Sequence, residues 1–139
     1  MDFSNSAPMQ MFNCLFRGDY DGFKGRFLDL TEVIPNKNVS GEDLHMLFLG
    51  MCIGIMNRYE VNSRIKNADS TTKIVMKAKL RGDKNYILGF KCGDDLKQLA
   101  HNTICEIIDN DYTNTLIGPI IVIGVAKNDD GCEIMYEVL

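Results

Sequence analysis

Only two histidines, His45 and His101, stand among the 139 residues, so side chains able to act as general bases near neutral pH are scarce. Nucleophilic catalysis needs such a base beside a Ser or Cys. His101 and Cys105, four residues apart, come nearest, but no oxyanion loop or orienting carboxylate is legible around them. Their plainer reading is a helix-flank histidine beside a buried thiol, and no catalytic residue is expected. The five cysteines (Cys14, Cys52, Cys92, Cys105, Cys132) are odd in number, and no two have C-x-x-C spacing. Scattered thiols and two distant histidines make no metal-ligand set. Cytosolic thiols fit better than a disulfide framework.

Phosphate cradles are also missing. Gly18, Gly22 and Gly25 lack the lysine of a P-loop and the strand–glycine–helix order of a dinucleotide fold, so they read as turns and no cofactor is expected. Residues 1–10 hold no Lys or Arg and no long apolar run, which speaks against a secretory signal. The longest apolar stretch, Leu44 to Met56, is broken by Gly50 and Gly54 and falls short of the roughly 20 residues that span a bilayer. A soluble or peripheral protein is expected. Tryptophan is absent, which excludes nothing.

What is present is an ordinary globular composition, 45% hydrophobic and 24% charged, in a chain long enough for one core. The net charge of −4 argues against generic nucleic-acid binding but conceals a polarity. Residues 58–97 hold ten basic and five acidic residues, whereas the remainder holds five basic and fourteen acidic. Such an asymmetry steers partners whatever the total.

Residues 1–11 read as a flexible N-terminal arm before a single domain over 12–139. Arg26 to Ile34 reads as a strand closed by Pro35-Asn36. Ser40 and Asp43 form a capping-box pattern that opens a helix reaching about Asn57, apolar on nearly every face. Such a helix belongs in the middle of a fold or in an oligomer contact. Short strands follow at 61–65, at 73–81 and at 86–92, the last two joined by the turn Gly82-Asp83-Lys84-Asn85. From Gly93 a second helix runs with Leu96, Leu99, Ala100, Thr103, Ile104, Ile107 and Ile108 on one face. A hairpin of 120–126 and 132–139 closes the chain. The fold class expected is α+β, with a largely antiparallel sheet, one buried apolar helix and one amphipathic helix.

Two surfaces carry functional expectations. In the strand 73–81, Ile74, Met76, Ala78 and Leu80 fall on the core side and Lys73, Val75, Lys77, Lys79 and Arg81 on the other. Lys84 and Lys91 extend that basic face. It is either a solvated edge guarded by lysines or a contact for phosphates on anionic lipid or RNA. Tyr86 and Phe90 would serve base stacking if exposed. Gly50-x-x-x-Gly54 permits close backbone packing or an oligomer contact.

The strand Tyr86-Ile87-Leu88-Gly89-Phe90, the helix Asp94 to Ile108, the linker Leu116-Ile117-Gly118-Pro119 and the closing hairpin resemble, in order, a known arrangement. It is the C-terminal half of matrix proteins from non-segmented negative-strand RNA viruses of the bornavirus and rhabdovirus type. The resemblance implies a structural, non-enzymatic protein of virion and host cytoplasm that self-assembles and links the inner membrane face to nucleocapsid RNA. Residues 1–11 depart from that pattern, since they lack the basic tail common in such proteins. The alternative is a small cytosolic adaptor or viral accessory protein that binds a host protein.

Overall fold

Five strands lie side by side in chain order, and the parallel pairing of the third and fourth governs everything around them. The structure, a computed structural model, describes residues 6–32, 39–64, 72–110 and 112–139. Helices α1 (Ala7–Phe16), α2 (Tyr20–Thr31) and α3 (Gly41–Met51) come first, and a 3₁₀ turn (Cys52–Ile55) continues α3. Strands β1 (Tyr59–Arg64), β2 (Lys73–Ala78) and β3 (Asn85–Cys92) follow, then α4 (Leu96–Asp109), β4 (Ile120–Asn128) and β5 (Gly131–Val138). β1–β2, β2–β3 and β4–β5 are antiparallel. β3 and β4 pair in parallel from Asn85↔Ile120 to Cys92↔Lys127, which requires a crossover, and α4 supplies it. The α+β class with a mostly antiparallel sheet therefore holds.

Three segments differ from the sequence expectations. Residues 26–31 are helical, because Asp19 caps α2 by accepting from Gly22 N at 2.9 Å, and Phe23, Phe27 and Thr31 then share its buried face. Gly22 and Gly25 thus sit inside a helix, and only Gly18, at φ +81°, makes a turn. Pro35 and Asn36 lie outside the described residues. The proposed arm also fails for Ala7–Met11, which belong to α1, with Met11 fully buried; Ser6 caps that helix and Pro8 suits its first turn. α3 does begin with the expected capping box, Ser40 and Asp43 bonding reciprocally at 3.1 and 2.9 Å. It stops at Met51, however, and buries one face only: Leu44, His45, Phe48, then Cys52 and Ile55 point inward, while Met46 and Ile53 stay 59% and 72% exposed.

The sheet is covered on both sides. α1, α2 and α3 pack an aromatic core of Phe12, Phe23, Phe27 and Phe48 against Leu88, Phe90 and Ile123. Phe48 is central, meeting Phe12 and Phe90 at ring centroids 5.4 Å apart. Each fully buried Phe contributes about 1.5–3 kcal/mol relative to exposure. On the opposite side α4 lays Ile104 and Ile107 over Val75, Ile87 and Val122. Gly89 and Gly124, paired across β3 and β4, form the floor under it: a Cβ on either would strike Thr103 or the Ala100 carbonyl.

Candidate basic end of the sheet

The expected basic face divides into two groups with different fates. Alternation along β2 is as read, with Ile74 and Met76 toward the aromatic core and Val75 toward α4. The side carrying Lys73 is not solvent but the underside of α4. Lys73 is fully buried, its stem lying over Gly89 and its Nζ 3.0 Å from Glu106 Oε2. Lys91 reaches the other oxygen, Oε1, at 2.7 Å. Burial lowers the Lys73 pKa against the opposing pull of Glu106. Burial alone would raise the Glu106 carboxyl, but hydrogen bonds from Lys91 and Lys73 outweigh it and lower its pKa. Lys73 and Lys91 are thus committed to the fold and correct the reading of one continuous phosphate-binding face.

The other four cations remain exposed. Lys77 stands opposite Glu60 in the β1–β2 register. Lys79, Arg81 and Lys84 lie beyond the end of β2, in the turn leading to β3, because the strand stops at Ala78. Leu80 leaves the core side with them and is 60% exposed. Its neighbour in space is the loop before β4, whose Ile117 is 92% exposed. A cleft of about 390 Å³ separates residues 78–83 from 117–119.

This end is held firmly. Buried Asn85 accepts from Ala78 N at 2.8 Å and donates to the carbonyls of Ile117 and Pro119 at 2.9 and 3.3 Å, stitching the two loops together. Arg58 grips Asp83 through two hydrogen bonds of 2.8 Å and lies 4.8 Å above the Phe16 ring. The Arg58 hydrogen bond lowers the Asp83 pKa, so the one acid in the turn is already neutralised. Tyr59 donates to Lys84 O at 2.9 Å, and Lys79 Nζ donates to Met56 O at 2.6 Å. Arg81 and Lys84 have no acidic partner among the described residues.

Strand order gathers further apolar side chains here. Met56 precedes β1, Val138 ends β5, and Leu139 follows it beside Ile120, Leu139 N donating to Ile120 O at 2.9 Å. With Leu80 and Ile117 they make five of the eight exposed large hydrophobics among the described residues. The other end of the same sheet is acidic. Asp94 and Asp95 follow β3, Asp129 and Asp130 join β4 to β5, and all four are exposed. Asn128 Nδ2 ties these turns by donating to Gly93 O at 3.1 Å. Opposite charges therefore stand at the two ends of the strands, although Asp94 and Asp95 belong to the stretch 58–97 that is basic in sequence.

The remaining expected sites are not brought to this end. Gly50 has open space around its Cα and Gly54 faces only Met9, so neither is demanded by packing within the chain; both line an apolar groove of about 520 Å³ with Pro8, Met9 and Ile53. Tyr86 and Phe90 are core residues, 2% exposed, and offer no stacking surface. His101 Nε2 and Cys105 Sγ lie 3.6 Å apart on the outer flank of α4. Among the described residues no three His, Cys, Asp or Glu side chains converge to hold a metal ion, and no helix is long and apolar enough to cross a membrane. Leu80 and Ile117 were missed by sequence reasoning. The signal was the run Lys79-Leu80-Arg81-Gly82, which places one apolar residue between cations just before a turn.

His45 is buried, with Nε2 3.0 Å from Ser63 Oγ. Burial first, then the Lys73 charge, lowers its pKa, and Glu42 only partly opposes them. As pH falls below about 6.5 the unfolded chain takes up this proton before the native state does. Stability is therefore expected to decline from about pH 6.5 downward and to level off below the native pKa. Urea midpoints measured across that interval check this, and His45→Gln should flatten the dependence.

No protein-family model, curated protein or solved structure matches the chain.

Proposed function

We propose that the chain is a non-catalytic, matrix-like assembly protein that docks on an anionic, phosphate-bearing surface with the basic end of its sheet. One observation carries the reading: Lys79, Arg81 and Lys84 share a rigid end with the exposed Leu80 and Ile117, while the opposite end is acidic. Such a molecule is oriented by the field before it makes contact, because the acidic end is repelled as the basic end is drawn in. A cation close to an anionic surface contributes about 1 kcal/mol. Self-association is the second half of the proposal. The exposed Met46 and Ile53, beside the apolar groove of α3 and α1, suit a second copy better than solvent.

Substituting Lys79, Arg81 and Lys84 together by Glu is expected to abolish retention on a phosphorylated resin at moderate salt. The equivalent reversal of Lys73 and Lys91 would instead disrupt the fold. Sedimentation velocity on the unmodified chain and on Ile53→Ser tests the assembly half. Unchanged resin binding in the triple variant, or a strictly monomeric parent chain, would refute the corresponding half.

A further inference from the structure

The basic end carries more than charge, and its apolar parts identify the surface it meets. Leu80 lies between Lys79 and Arg81 in sequence, so an apolar side chain and two cationic ones leave the same short turn. Ile117 projects from a second loop with 92% of its surface in water. Each of these residues is followed closely by a glycine in the left-handed region, Gly82 at φ +97° and Gly118 at φ +96°, which turns the chain sharply back toward the sheet. Asn85 bonds to both loops, so the two tips are held as a pair.

We infer that the docking surface is an anionic lipid bilayer, and that Leu80 and Ile117 enter its headgroup–acyl boundary while Lys79, Arg81 and Lys84 hold lipid phosphates. This rests on the docking function proposed above for the same end. Long cationic side chains suit the geometry, since their stems follow the apolar residues inward while their charges stay at headgroup level. A nucleic acid would instead favour exposed aromatic faces among the cations, whereas Tyr86 and Phe90 are buried in the core. The acidic turns at Asp94, Asp95, Asp129 and Asp130 then face away from the membrane.

The absence of tryptophan makes the test direct, because a single introduced indole reports without background. Leu80→Trp and Ile117→Trp are expected to shift to the blue and to be quenched by brominated lipid on phosphatidylcholine vesicles containing about one-third phosphatidylserine. His101→Trp, on the outer flank of α4, should do neither. Leu80→Ser with Ile117→Ser, both exposed and harmless to the core, should reduce vesicle partitioning by about tenfold or more. Vesicle binding with both indoles still open to an aqueous quencher would overturn insertion and leave docking standing. So would binding to single-stranded RNA without binding to vesicles. Failure to bind vesicles, RNA and polyphosphate alike would overturn both.

Discussion

Gly124→Val is expected to lower the stability of the folded chain by about 3 kcal/mol or more, a loss seen as a fall of roughly 10 °C in the melting midpoint. The cause is backbone contact. A side chain at Gly124 meets the Ala100 carbonyl and lies within 3.2 Å of Thr103 Cβ, so only displacement of α4 can make room. That displacement would strip cover from Val75, Ile87 and Val122 and stretch the crossover that makes the β3–β4 pairing possible. Gly25→Ala is the control. Gly25 sits in α2 with nothing near its missing Cβ, so alanine should raise stability by about 0.5–1 kcal/mol. Equal midpoints for the two variants in calorimetry would show that α4 does not rest on the paired glycines.

Glu106→Gln is expected to be comparably severe, at about 3–5 kcal/mol, because it removes the carboxylate that two ammonium groups share under α4. Lys73 is wholly buried and Lys91 is largely so, with 19% of its side chain exposed. Lys73→Met should behave differently. It keeps the stem that packs over Gly89, discards a charge whose burial is itself a cost, and leaves Glu106 paired with Lys91; a change within about 1 kcal/mol is expected. The sign with pH follows from the lowered Glu106 pKa. Its contribution is complete above the ordinary glutamate pKa near 4.3 and is lost as pH falls through that value and then through the native one. Acid titration of the parent chain against Glu106→Gln, followed by circular dichroism, checks this. If Glu106→Gln leaves the urea midpoint in place while strengthening vesicle binding, Lys73 and Lys91 belong to the docking surface after all.

Local pattern was enough for several elements. The capping box of α3, the 3.6-residue period of α4 and the two hairpins were legible because each depends on residues close together in sequence. α2 was not, since Arg26 to Ile34 is rich in β-formers and the helical spacing of Phe23, Phe27 and Thr31 begins upstream, across glycines that suggested turns. The parallel β3–β4 pair was also hidden, because no local feature tells a strand which neighbour it will have.

The basic face shows the same division most clearly. The sequence by itself determined its charge and its alternation, and the alternation survives in the structure as far as Ala78. Burial was decided by tertiary packing. α4 covers the β2 residue Lys73 and draws Lys91 in with it, whereas the early end of β2 at Ala78 sets Lys79, Leu80 and Arg81 outside. Side-chain direction along a strand follows from a two-residue period. Whether that direction leads to water depends on what a distant segment lays across it, and α4 reaches Lys73 but not Leu80. Lys73 and Lys91 therefore build the core, and the binding end falls to the turn where the period breaks.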